Sequence, residues 1–153
     1  MRVLRIGLAL VLGVLTAGLS AGVTAAARPS VEFLPPPDGL LDKTCGYEIL
    51  VTFAVQKEYL RTFFDRDGNV VKIIVTGNLV VTFTNTATGA SLTSNISGPF
   101  HTNFVRESNT SEGRIGGPVP GLPGLNLFAG RIDYDTGSMV GHLEGSVCEM
   151  LAP

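Results

Sequence analysis

His142 and Glu144 stand two residues apart in a run of alternating character, and Asp133 and Asp135 repeat that spacing just upstream. On strands, residues at spacing two share one face. Pointed inward, the set would gather an imidazole and three carboxylates able to act as general acids and bases or to ligate a metal. These four are the candidate catalytic residues. Their companions argue the other way: Met139, Leu143 and Val147, interspersed with Gly141 and Gly145, have the composition of a core face, which turns His142 and Glu144 towards water. His101 stands alone beside Gly98-Pro99 and reads as an edge or surface histidine.

Other chemistries find less. Asp65-Arg66-Asp67-Gly68-Asn69 opens like a calcium loop, but an EF-hand begun at Asp65 wants Gly at its sixth position and Glu at its twelfth, where Val70 and Thr76 stand. The segment reads as a hairpin turn. No serine lies in Gly-x-Ser-x-Gly and no Gly-x-Gly is present, so nucleophilic and nucleotide chemistry lack a motif. Cys45 and Cys148 show no zinc-site spacing and, in an exported chain, are expected to form a disulfide. No metal and no cofactor is predicted. A hydroxyl-rich set, Thr82, Thr84 and Thr86 with Ser91, Thr93, Asn95 and Ser97, suits the wet face of a sheet better than a sugar site, because stacking aromatics are missing from it.

The elements that must position these residues are strands. Tyr47 to Gln56 alternates with period two, and Glu58 to Phe64, Val70 to Thr76, Leu79 to Asn85, Ser91 to Ser97, Phe100 to Glu107, Leu125 to Tyr134 and Met139 to Val147 follow, separated by turn signals. Ser108 to Gly113 is polar enough for a further turn. About eight strands without an amphipathic helix predict an all-β fold: an antiparallel barrel, with a two-sheet β-sandwich as the alternative. A Cys45–Cys148 bridge would suit first and last strands that are neighbours and close the sheet. Between Ile115 and Gly124, four Gly and three Pro predict a long apolar loop. Val119 and Leu122 in it, with Leu125 and Phe128 after it, are the candidate contact residues for an apolar small molecule or a protein partner. The competing expectation is that they plug one end of the barrel.

Arg2 and Arg5 precede an uncharged run from Ile6 to Ala27 that ends Ala25-Ala26-Ala27, the pattern of a secretory signal peptide over residues 1–27. Residues 28–44 form a leader whose Pro35-Pro36-Pro37 favours an extended, unpaired strap, and residues 45–153 form the disulfide-closed β domain. Without Arg2 and Arg5, nine basic side chains face thirteen acidic ones, and the cations are scattered among carboxylates along the chain. That argues against nucleic acid, which needs a clustered positive field. After cleavage no membrane segment is expected.

Cys45-Gly46-Tyr47 opening the first strand, Thr82-Phe83-Thr84-Asn85, Asn95-Ile96-Ser97-Gly98-Pro99, Phe128-Ala129-Gly130-Arg131 and a late cysteine resemble small secreted proteins of actinobacteria with no assigned activity. The resemblance implies export and a β fold and carries over no catalytic residue. The function expected from the sequence is a secreted, non-enzymatic binding or interaction module. The alternatives are a small barrel enzyme of cyclase or isomerase type using interior acid and base residues, and a purely structural secreted protein packed solid by Phe53, Ile73, Val81 and Phe83.

Overall fold

The computed structural model describes residues 28–153, so the expected signal peptide lies outside the described residues. Nine strands form: β1 (Ser30–Leu34), β2 (Leu40–Asp42), β3 (Ile49–Phe64), β4 (Val70–Asn85), β5 (Ser91–Asn95), β6 (Phe100–Asn103), β7 (Ser108–Pro118), β8 (Leu125–Asp133) and β9 (Met139–Ser146), followed by a one-turn helix α1 (Val147–Met150). All pair antiparallel in one sheet of order β1-β3-β4-β6-β7-β8-β9, with β2 also on β3 and β5 also on β4. The all-β expectation therefore holds, but the sheet is not closed into a barrel, because the two ends of that order do not pair. A disulfide instead ties the start of β3 to the end of the chain: Cys45, before β3, is bridged to Cys148 in α1 with their Cα atoms 5.1 Å apart.

The expected strand pair Tyr47–Gln56 and Glu58–Phe64 is one strand, and so is the pair Val70–Thr76 and Leu79–Asn85. The apparent boundary in β3 is a bulge. Phe53 pairs with Val81 and Val55 with Val80, so Ala54 is extra and the alternation changes phase without the strand ending. In β4 the apparent break at Gly77 is a close approach: a Cβ there would lie 2.0 Å from the Lys57 carbonyl oxygen, so only glycine lets the strands stay paired.

The leader is not an unpaired strap. β1 and β2 lie in line along the outer edge of β3, pairing with Glu58–Thr62 and Ile49–Val51. The three prolines, which lack ladder donors, fall in the gap between them. The apolar loop is also shorter than expected. Ile115 to Pro118 pair with Leu125 to Phe128, and the connection is reduced to Val119–Gly124. The Ser108–Gly113 segment is paired on both sides rather than turning, and the turn falls at Phe104–Glu107, where Asn103 Oδ1 accepts from the Val105 and Arg106 amides at 3.1 and 2.9 Å.

β8 separates two apolar clusters. Leu125 and Leu127 pack with Ile49, Val81, Phe83, Val147 and Leu151. Phe128 and Ile132 point the other way, against Val119 with Ile115, Leu122 and Tyr134. Leu125 to Phe128 is buried on both faces, and its polar member, Asn126, donates from Nδ2 to the Pro123 and Gly124 carbonyls at 3.0 and 3.3 Å. Buried Asn85 ties the end of β4 to the C-terminus: its Nδ2 donates to the Leu151 carbonyl at 2.8 Å and its Oδ1 accepts from the Ala87 amide at 2.9 Å. β9 lies at the sheet's edge, so its expected core face is partly wrong. Val147 is buried, but Met139 and Leu143 are 40% and 47% exposed.

Candidate functional site

Beside the disulfide-linked end, the inner face of the sheet leaves a cleft of about 410 Å³. Val51 and Phe53 come from β3, and Leu79, Val81 and Phe83 from β4. These alternate residues share a face because the Ala54 bulge lies beyond them on β3. Ile96, in the β5–β6 connection, and Leu125 of β8 form the facing wall. Ile96 is seated on bare backbone: a Cβ at Gly116 would be 2.9 Å from its Cγ2. Gly117 has no atom within 4 Å of a Cβ position, so the cleft reaches down to main chain there.

The mouth is formed by β2. Leu40 and Leu41 line it while 54% and 62% exposed, too apolar and too open to be ordinary core. Asp42 is the ionisable residue of the lining, and its Oδ1 is occupied by the Thr44 amide and hydroxyl at 2.9 and 2.6 Å. Apart from Asp42 the lining is apolar side chains and glycine, so the surface it offers a ligand is mainly one for apolar contact. Each CH₂ that a ligand buries there contributes about 0.8 kcal/mol, and the size falls in the ordinary range for small-molecule sites.

The four candidate acid and base residues do not meet. His142 is exposed on β9 opposite Ala129. Glu144 accepts from Arg114 Nε at 2.7 Å, a hydrogen bond and charge pairing that raise the guanidinium's pKa. Asp133 Oδ1 accepts from the Asp135 and Thr136 amides at 3.1 and 3.0 Å; hydrogen bonds from Thr136 first hold its pKa below the ordinary value. Asp135 accepts from the backbone and side-chain nitrogens of Asn109. Three of the four thus serve turns and cross-strand contacts. Among the described residues no group of three or more His, Cys, Asp or Glu side chains is placed to hold a metal.

Of the candidate contact residues, Val119, Leu125 and Phe128 are buried and Leu122 packs against the second cluster. With no closed barrel there is no barrel end for them to plug, and of the four Leu125 borders the cleft. The cleft's mouth is not legible in the sequence because the prolines before Leu40 and Leu41 favour an unpaired leader. Their signal was two adjacent leucines next to a cysteine-bearing turn. Thr82 and Thr93 do form a cross-strand hydroxyl pair at 2.8 Å, on the face of β4 away from Val81 and Phe83.

Among the described residues no helix is long and apolar enough to cross a membrane. No family model, no curated protein and no solved structure matches the chain.

Proposed function

We propose that this chain is a secreted, non-enzymatic binding module that takes an apolar small molecule in the cleft between β2–β4 and β7–β8. The observation that carries the reading is the lining itself: Val51, Phe53, Leu79, Val81 and Ile96 surround a cleft whose mouth is held open by two exposed leucines. Export is supported by the Ala25-Ala26-Ala27 end of the apolar run, by the resemblance to small secreted actinobacterial proteins, and by a disulfide compatible with an oxidising compartment. Glu144, Asp133 and Asp135 are engaged in contacts of their own, which supports the binding reading over the enzyme alternative.

A fluorescent fatty acid titrated into the protein tests the reading. Saturable binding that Leu41→Asp weakens at least about tenfold, with the melting temperature unchanged, is expected, because Leu41 is largely exposed and a charge at the mouth must be desolvated by the ligand. Absence of saturable binding to probes of several chain lengths would sink it. For export, the intact mass of protein from the medium should correspond to a chain starting near Arg28.

A further inference from the structure

The far end of β4 carries a second concavity, on the opposite face of the sheet. Lys72, Asn103 and Ser108 form one cross-strand row, His101 and Thr110 the next, and Glu112 and Arg131 a third. Spacing two within β6 and β7 puts all three rows on one face. Arg106, from the Phe104–Glu107 turn that Asn103 caps, closes the end of a pocket of about 220 Å³. Three permanent cations thus line the pocket with one carboxylate, Glu112, whose Oε1 lies 3.4 Å from Arg131 Nη1, while Asp133, opposite Thr110 on the same face, accepts from the Asp135 and Thr136 amides. Among the described residues Lys72 and Arg106 form no ion pair. Since the described chain has an excess of acidic residues, such a concentration of positive charge is a property of the register, not of composition.

The geometry points to a binding site for a compact tetrahedral oxyanion, a phosphate or sulfate either free or as the head of a monoester, held by Lys72, Arg106 and Arg131. The Ser108 and Thr110 hydroxyls add neutral donors, and guanidinium groups match the paired oxygens of such anions. A pocket of this size suits a small anion or the head of a larger ester. It is also separate from the apolar cleft: Lys72 and Leu79 are seven positions apart on β4, hence on opposite faces and about 23 Å apart along the strand. One small ligand cannot occupy both.

His101 makes the site pH-sensitive. It faces Lys72 of β4, Glu112 of β7 and Arg131 of β8, with Arg106 at the pocket's end and Asp133 opposite Thr110. Partial burial first, and then repulsion from Lys72 and Arg131, lower its pKa, with Glu112 opposing. A bound anion adds negative charge, favours the imidazolium and raises that pKa. By linkage, affinity for an anion of fixed charge, such as sulfate, must rise as pH falls through the His101 titration.

The imidazole proton resonances of the protein's two histidines test this directly, with exposed His142 as the internal control. At constant ionic strength, inorganic phosphate should move His101 saturably and leave His142 in place, chloride should move neither, and sulfate, whose charge does not change over this range, should bind more tightly at pH 5.5 than at pH 7.5. Arg106→Gln, in an exposed turn, and Lys72→Gln should each weaken binding by about tenfold. Equal or tighter binding of glycerol 1-phosphate identifies a monoester head as the better ligand; rejection of it identifies the free anion. Equal displacement of both histidines by phosphate and chloride, or binding that Arg106→Gln leaves unchanged, overturns the proposal.

Discussion

The two ends of β4 are written in similar residues and meet opposite fates. Val81, Phe83 and Asn85 are at most 3% exposed, whereas from Val70 to Asn78 no residue is fully buried, although Val71, Ile73, Ile74 and Val75 are as apolar as anything in the core. The difference is what lies over them. At the first end Leu125 and Leu127 of β8, with Val147 and Leu151 around α1, form a second layer that the Cys45–Cys148 bridge holds against β3 and β4. At the other end the strand pairs with β3 and β6 and presents Lys72 to water on one side. Apolar strand residues are buried only where a covering layer exists, so here burial follows the closure of the termini more than the hydropathy of the strand.

The largest expected effect comes from breaking that closure. Cys148→Ser removes a bridge between residues 103 apart in sequence, and the chain-entropy argument puts the loss at up to about 4–5 kcal/mol. Chemical denaturation measures the total. Native-state hydrogen exchange sharpens the comparison: protection should fall first at Leu125, Leu127 and the start of β3 and least at the β3–β4 hairpin. Uniform loss along β4 would mean that the two ends are not independent.

Next in size is the cluster on the other side of β8. Leu122→Asp places a carboxylate against Val119, Phe128 and Ile132 and is expected to lower stability by about 2–3 kcal/mol with fatty-acid binding retained. Retained stability with lost binding would instead make the Val119–Gly124 connection a contact surface. Asn85→Leu comes third. It leaves the Leu151 carbonyl and the Ala87 amide without their partner, a loss of about 1–3 kcal/mol readable in the unfolding midpoint.

Much of this architecture was legible in local pattern. The alternation from Tyr47 to Phe53, the Asp65–Asn69 turn and the pairing of two cysteines each depend on neighbours in sequence or on simple counting. What was not legible depends on register. Ala54 shifts the phase of β3 and so imitates a strand end, while Gly77 imitates a turn because the residue that makes it necessary, Lys57, is twenty positions away. The basic pocket is the clearest case. Lys72, Arg106 and Arg131 are scattered along the chain, and only the β4-β6-β7-β8 order brings them to one face. Closure is illegible for a related reason: a disulfide from the start of β3 to the helix after β9 suits a barrel equally well as it suits a bridge across an open sheet.

The smallest expected effect tests the hairpin turns, where the comparison between covered and uncovered ends no longer applies. Asp65 Oδ1 accepts from the Asp67 and Asn69 amides at 2.9 and 2.8 Å, and its Oδ2 from Asn69 Nδ2 at 3.0 Å. These bonds, the Asn69 side chain first, hold the Asp65 pKa below its ordinary value, as those from Thr136 do for Asp133 in the β8–β9 turn. A carboxylate whose pKa is lower in the folded state contributes stability that is complete above its unfolded pKa and disappears as pH falls through the folded one. The window therefore lies below about pH 4. Both groups are at the surface, where solvent screens them, so the effect is a shallow slope rather than a transition. Melting temperatures of the wild type and of Asp65→Asn/Asp133→Asn should differ little at pH 2.5 and show a modest wild-type advantage at pH 6. A wild-type advantage that persists unchanged at pH 2.5 would show that the turns depend on the shape of the acceptor and not on its charge.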